Sequence, residues 1–189
     1  MTSWLEAAPA EAIDAPPARL RRWRLEQAGL VTALVTANID HLRPWMPWGQ
    51  RAPSLEEELD FLERMEQAWE ERVDFGYAVT LATGEVIGGM GLHTRQGPGT
   101  LEIGYWIAAP HTGRGYATVS ARALTDAAFA LPGVERVEIR CDEANRASAA
   151  VPARLGFTLV AVNAREPSAP GETGRGMTWA VRRPEWPPG

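Results

Sequence analysis

Gly113 and Gly115 mark the clearest chemistry in the chain. They stand in GRGYAT, directly before an alanine-rich stretch, and leave the backbone free to curl so that its N–H groups converge where a helix begins. A helix start already presents unpaired donors and a partial positive charge, so such a bend can hold phosphate; a plain tight connection would use the same residues. Two familiar phosphate motifs are excluded. Thr118 occupies the place of the third glycine or alanine of the dinucleotide fingerprint, and no lysine follows as in a Walker-type loop. Trp45 and Trp48, next to Pro44 and Pro47, form a stiff aromatic cluster. It either plugs the core or walls a binding groove, where an indole can stack on a cation. Cys141 is the single cysteine and has no paired histidine, the pattern of an inert thiol more than of a nucleophile. His41, His93 and His111 are too scattered for metal-ligand spacing.

The elements that must position these residues follow from periodicity. Leu101, Ile103, Tyr105 and Ile107 alternate with Glu102, Gly104 and Trp106, which predicts a strand ended by Pro110. Ala117, Ala121, Leu124 and Ala128 share one face of the helix that follows, and Leu131-Pro132-Gly133 stops it. Val137 to Cys141 predicts a strand parallel to its predecessor, because a helix crosses over between them. Upstream, Ala18 to Trp23 reads as an edge strand protected by three arginines, and a first helix runs from Glu26 to about Asp40. Ser54 and Glu57 form a capping box for a helix reaching about Arg72, with Leu55, Leu59, Leu62 and Met65 or Glu66 inward and its glutamates solvated.

Phe75 to Leu81 and Val86 to His93 predict a hairpin, and Gly88, Gly89 and Gly91 within it imply a bulge or the close approach of another backbone or a ligand. Asn145 suits the N-cap of a helix ending near Gly156. Pro152 cannot bond the Ser148 carbonyl, which predicts a kink, a later start or a 3₁₀ stretch. Thr158 to Asn163 and Met177 to Arg182 complete the strands.

With 45% hydrophobic and 23% charged residues, a chain of 189 fits one globular domain with a real core. Residues 1–17, rich in Ala and Pro, read as a loose arm, 18–183 as the domain and 184–189 as an extended tail. The formal charge of −5 disfavours a nucleic-acid binder and suits a cationic substrate. One cysteine allows no internal disulfide, and neither a membrane-length apolar run nor a signal peptide is evident, so the expected setting is cytoplasmic. Trp179 and Trp186 read as exposed and leave room for a homodimer.

IGYWI followed by GRGYAT resembles the pyrophosphate-binding segment of the GNAT family of acyl-CoA-dependent N-acyltransferases, and within it the branch that acetylates ribosomal-protein N-termini. Asn145-Arg146-Ala147-Ser148 and Arg154-Leu155-Gly156-Phe157 extend the likeness, which covers roughly Arg19 to Val181. Thr112 departs from it, standing where the family usually has Gln or Arg. The resemblance implies an α/β fold with a mixed, twisted sheet of about six or seven strands, flanked by about four helices and splayed between the strand ending at Ile107 and its parallel neighbour. It implies acetyl-CoA as donor, with Trp106, Ile107 and Ala108 on pantetheine, whose two amides can imitate a strand. Thr112, Gly113, Arg114, Gly115, Tyr116, Ala117 and Thr118 would hold the pyrophosphate, Asn145 would line the cofactor groove, and Trp45 and Trp48 the acceptor groove.

Moving an acyl group from sulfur to nitrogen requires the amine to lose its proton, because a lysine-like amine with a pKa of about 10.4 is protonated at neutral pH. Glu102 is the expected base, acting through water, unless it is only a surface carboxylate of its strand. A free N–H near Ile107 would face the thioester oxygen, and Ser148 would protonate the leaving thiolate, with Tyr105, Tyr116 and Cys141 as rivals. The implied function is transfer of acetyl from acetyl-CoA to a primary amine, on a protein N-terminus or a small molecule, within a ternary complex. Three alternatives stand beside it: another donor such as succinyl-CoA, a silent CoA-binding module, which Thr112 and Pro152 favour, and a nucleotide binder unrelated to CoA.

Overall fold

The computed structural model describes residues 4–187. Eight strands form one mixed sheet: β1 (Ala12–Ala15), β2 (Ala18–Arg22), β3 (Asp74–Leu81), β4 (Val86–His93), β5 (Thr100–Ile107), β6 (Arg136–Asp142), β7 (Thr158–Ala164) and β8 (Arg175–Arg182). They lie in the order β1-β2-β3-β4-β5-β6-β8-β7. The helices are α1 (Ala28–Ala37), the single turn α2 (Ile39–Leu42), α3 (Leu55–Glu70), α4 (Tyr116–Ala130) and α5 (Arg146–Arg154). Pairing is antiparallel except between β5 and β6, where α4 makes the crossover.

The two faces of the sheet are built differently. On one, Leu101 and Ile103 of β5 and Val137 and Ile139 of β6 are buried with Ala121, Leu124 and Ala128, the alanines letting α4 lie close. On the other, Val31, Val35 and Leu62 pack with Trp23 and Ala78. Gly76, Gly91 and Gly104 form a row across β3, β4 and β5 in register. The row makes room for side chains lying flat on it: a Cβ at Gly76 would stand 2.6 Å from Met65 Cε, and one at Gly91 2.9 Å from His93 Cε1. At Gly88 the neighbour is backbone, with the Trp106 carbonyl oxygen 2.2 Å from where a Cβ would be. The close approach expected at these glycines is thus made by groups of the protein itself.

Several expectations are corrected. The arm expected over residues 1–17 contains β1, which pairs with β2 from Ala12↔Arg21 to Ala15↔Ala18, and Leu5 is buried in the core. The Tyr77 hydroxyl donates to the Ala10 carbonyl at 2.9 Å, and Glu11 pairs with Arg22 and Arg24. The segment looks loose by composition, yet its backbone completes the ladder that β2 would otherwise leave open, so β2 is not an edge. The first helix breaks at Asn38, whose side-chain amide donates back to the Leu34 carbonyl at 2.8 Å. On α3, Leu55 is 52% exposed while Glu58 is buried, so a glutamate takes the inward place expected of a leucine. The tail expected over 184–189 starts in a 3₁₀ turn over Arg183–Glu185. Trp186 packs edge-on to Phe157 and donates Nε1–H to Asp126 at 2.5 Å. Trp179 is likewise half-buried against the core, so neither tryptophan is the exposed surface expected for a dimer. Residues 1–3, 188 and 189 lie outside the described span. Among the described residues no helix is long and apolar enough to cross a membrane.

Candidate active site

β5 and β6 pair only from Thr100↔Arg136 to Ile103↔Ile139, although β5 continues to Ile107 and β6 to Asp142. Beyond Ile103 the strands part. The Ala108 N–H donates to the Ile87 carbonyl at 2.8 Å, which sets the alternation along the antiparallel β4–β5 ladder. Trp106 and Gly104 then face β4 with their amides, and the amides of Tyr105 and Ile107 turn to the edge that β6 has left. Two strand donors therefore point into a gap, a costly state unless something pairs with them.

The glycine bend lies just past the end of β5. Asn38 Oδ1 accepts the Ala109 N–H at 2.8 Å and fixes the 3₁₀ turn of Ala109–His111 that leads into the bend. Gly113 and Gly115 have φ of 72° and 85°, in the region only glycine enters freely, and a Cβ at either would meet nothing within 4 Å. Val119 is the first residue of the turn to donate, to the Gly115 carbonyl at 3.0 Å, so the amides from Gly113 to Thr118 are without acceptors among the described residues. Arg114 is exposed beside them. Thr112, in the place of the family's Gln or Arg, turns its hydroxyl back to the Ala109 carbonyl at 2.9 Å.

A cavity of about 1160 Å³ opens beside the split and is lined by Trp45, Trp48, Glu58, Glu102, Tyr105, Trp106, Cys141, Asn145 and Ser148, among others. It brings together the two expected catalytic residues, the acceptor-loop tryptophans and two of the expected cofactor contacts. Trp48 stands edge-on to Trp106 with ring centroids 6.1 Å apart and is 52% exposed, so this loop walls the cavity and does not plug the core.

Ser148 sits in the first turn of α5, its N–H donated to the Asn145 side-chain cap at 3.1 Å. The helix runs unbroken through Pro152 to Arg154. The Ser148 carbonyl that Pro152 cannot serve accepts the Tyr105 hydroxyl at 2.9 Å. That hydroxyl is also 3.1 Å from Ser148 Oγ, and since its one proton goes to the carbonyl, Ser148 Oγ–H donates to it. Pro152 therefore does not displace Ser148; it frees the carbonyl that docks Tyr105. Burial pushes the Tyr105 hydroxyl well above its ordinary pKa, only partly opposed by Ser148, and the phenol stays neutral. Burial likewise raises the Cys141 thiol, against the lowering effect of Ser148, which disfavours a thiolate nucleophile.

Glu102 lines the cavity and is 5% exposed. Burial pushes its carboxyl up, but hydrogen bonds and charge from Arg95, with Gln96 and His93 adding, outweigh this and hold it below the ordinary range. Arg95 engages both oxygens, one through Nε at 3.1 Å, and Gln96 donates at 2.5 Å. A carboxylate so occupied is a fixed negative charge and a poor proton acceptor. His93 Nδ1 is 2.7 Å from Asp74 Oδ1, though not aligned as a hydrogen bond.

Sequence reasoning missed Asn38, Arg95 and Glu58. Asn38 is of a type that caps helices and stands between α1 and α2, the spacing of Glu58 to Leu62, Met65 and Trp69 places it on the inward stripe of α3, and no local pattern marks Arg95. Among the described residues no three acidic, His or Cys side chains gather as a metal site.

The chain is 34% identical over 97 residues to YkkB, an uncharacterized protein of Bacillus subtilis (strain 168), covering 47% of this chain and 56% of that one. It thus spans about half the length of this curated relative. Among solved structures, RimL, a ribosomal L7/L12 alpha-N-protein acetyltransferase in complex with coenzyme A, superimposes with a TM-score of 0.82 at 23% identity, covering 91% of this chain and 98% of that one. Mycobacterium smegmatis RimJ in complex with CoA-disulfide gives 0.83 at 23% identity, covering 98% and 91%. These likenesses establish the fold. The family model for the Acetyltransferase (GNAT) domain matches residues 18–158, most of the chain, with the split, the bend and much of the cavity lining just described, and the chain belongs to that family.

Proposed function

We propose that the chain transfers an acetyl group from acetyl-CoA to a primary amine by direct attack within a ternary complex. The observation that carries this reading is the pairing of two structures: a strand gap with free amides at Tyr105 and Ile107, and an open bend with unpaired amides from Gly113 to Thr118. The first accepts a peptide-like pantetheine arm between Trp106, Ile107 and Ala108 on one side and Asn145 on the other. The second, with Arg114 beside it, accepts the diphosphate at a helix start. The Ile107 N–H is placed to stabilise the thioester oxygen as it becomes negative. Ser148 turns its proton from Tyr105 to the departing thiolate, and Glu102, tied to Arg95 and Gln96, holds those two side chains along the cavity.

The protonated Cys141 supports direct transfer over an acyl-enzyme. For the acceptor, the proposal is a protein N-terminal amine. The names of RimL and of similar structures, one of them a ribosomal-protein-S5-alanine acetyltransferase from Vibrio fischeri, support it, as does the Trp45–Trp48 wall of the cavity. Incubation with acetyl-CoA and a panel of amines tests the reading: hexapeptides beginning with Ser, Ala or Met, spermidine and kanamycin, followed by free-thiol release. Release that depends on one of the peptides is expected. CoA binding without turnover on any amine would point to a silent module, and thermal stabilisation by ATP but not CoA would overturn CoA binding itself.

A further inference from the structure

Glu58 is buried, 8% exposed, on the stretch of α3 that walls the cavity. Three of the four carboxylates buried to this degree are heavily engaged. Glu102 is held by Arg95 and Gln96, Glu138 by Arg136 and Arg140, and Asp142 by the amides of Ala144, Thr173 and Gly174. Glu58 has no hydrogen bond or ion pair from its side chain among the described residues. Its oxygens are not among the fully enclosed polar atoms left without a partner, so they open on the cavity, and a carboxylate partly desolvated at a cleft with nothing in the fold to hold it is a candidate for contact with a ligand.

We propose that Glu58 contacts the acceptor amine and takes its proton. The inference rests on the acyltransfer reading and deepens it, replacing the occupied Glu102 as base with a carboxylate whose oxygens are free. An N–H bond of the ammonium breaks and its proton passes to a Glu58 oxygen. The nitrogen lone pair then forms the C–N bond at the thioester carbon, the C–S bond breaks, and the sulfur gains a proton as the nitrogen loses its second. Glu58 returns its proton to solvent. The same wall carries Trp48, Phe61 and Met65, so the amine so held belongs to a body with apolar surface near the nitrogen.

The charges around Glu58 do not supply a competing partner. On α3, Glu57 is paired with Arg51, and Arg64 lines the cavity with no ion pair among the described residues. α1, packed on α3, has no titratable side chain; the 3₁₀ turn before it adds Glu26, and β3 adds Asp74 beside His93. Across the cavity Arg95, Arg140 and Arg165 are held by Glu102, Glu138 and Glu172. Burial, with the charge of Glu57 adding, pushes the Glu58 carboxyl above the ordinary range, in the direction a base needs.

The test uses the full chain and the fastest acceptor of the amine panel. Glu58→Gln is expected to lower kcat by roughly 100-fold and to remove the acidic limb of the kcat/KM profile. Affinity for acetyl-CoA should be unchanged, and Tm should move by less than ~2 °C because no hydrogen bond or ion pair of the fold is lost. Glu58→Asp should retain part of the rate. An active parent whose Gln variant keeps its rate and pH profile overturns the inference while leaving acyl transfer intact. So does a Gln variant with lowered Tm and lost acetyl-CoA binding, which would make Glu58 structural. A parent that transfers to no amine overturns the acyltransfer reading itself, and the inference with it.

Discussion

Replacing Tyr105 by Phe removes one hydroxyl that does two jobs. It leaves the Ser148 carbonyl, already deprived of its helical donor by Pro152, without any partner. Ser148 is half-buried, and a carbonyl drawn partly out of water and left unsatisfied costs ~1–3 kcal/mol. Tyr105→Phe should therefore destabilise the chain by about 2 kcal/mol, a Tm loss of about 4–8 °C for a domain of this size. The double variant is the sharper test. In Pro152→Ala the new amide can serve the Ser148 carbonyl, so the tyrosine hydroxyl is no longer its sole donor. Urea denaturation of the four proteins, read as a double-mutant cycle, should show the cost of Tyr105→Phe falling by about 1 kcal/mol in the Pro152→Ala background. Costs that add within ~0.3 kcal/mol would refute the reasoning that the proline and the tyrosine are coupled through one carbonyl.

Ser148→Ala should lower kcat about 10-fold with little change in acetyl-CoA affinity, because a thiol leaving group with a pKa near 8.5 needs only modest help; steady-state thiol release checks it, and a normal kcat would retire the acid. Gly115→Val should fold, since a Cβ there meets no protein atom, at a cost of ~1–2 kcal/mol for the left-handed backbone. Its CoA affinity by calorimetry should fall at least ~10-fold, as the branched side chain obstructs the phosphate approach; unchanged affinity would remove the bend from the site. Asp142 is held at a pKa of about 2 although burial raises it, because amides of Thr173, Ala144 and Gly174 bond its anion. Its folded pKa lies below the unfolded value, so the stability it adds is present above about pH 4 and lost as pH falls through about 2. Asp142→Asn should therefore cost ~2 kcal/mol at neutral pH and show a weaker acid dependence than the parent; identical acid unfolding of the two would contradict this.

Much of the fold is legible in the sequence because the pleat and helix periods are strong where both faces are buried. The alternation over Leu101–Ile107 and the alanine face of α4 are of this kind. β1 is not, since Ala12-Ile13-Asp14-Ala15 is too short to show a period within an Ala- and Pro-rich stretch, and it becomes a strand through backbone pairing with β2. The site divides the same way. The glycine bend is local chemistry and shows in six residues, and the helix cap at Asn145 likewise. Arg95 reaching Glu102, or Tyr105 reaching the carbonyl left by Pro152, depends on strand register across the sheet, which no local pattern encodes. Glu58 was hidden differently: its neighbours Glu56 and Glu57 are exposed, and composition alone counts the three alike.

The central claim is that one chain offers a diphosphate the amides from Gly113 to Thr118 and a pantetheine arm the gap beyond Ile103. A crystal structure of the complex with coenzyme A tests it most directly. The diphosphate is expected against those amides and the arm hydrogen-bonded to Tyr105 or Ile107, with its sulfur beside Ser148. Coenzyme A bound elsewhere, or β5 and β6 closed along their length in the complex, would contradict it.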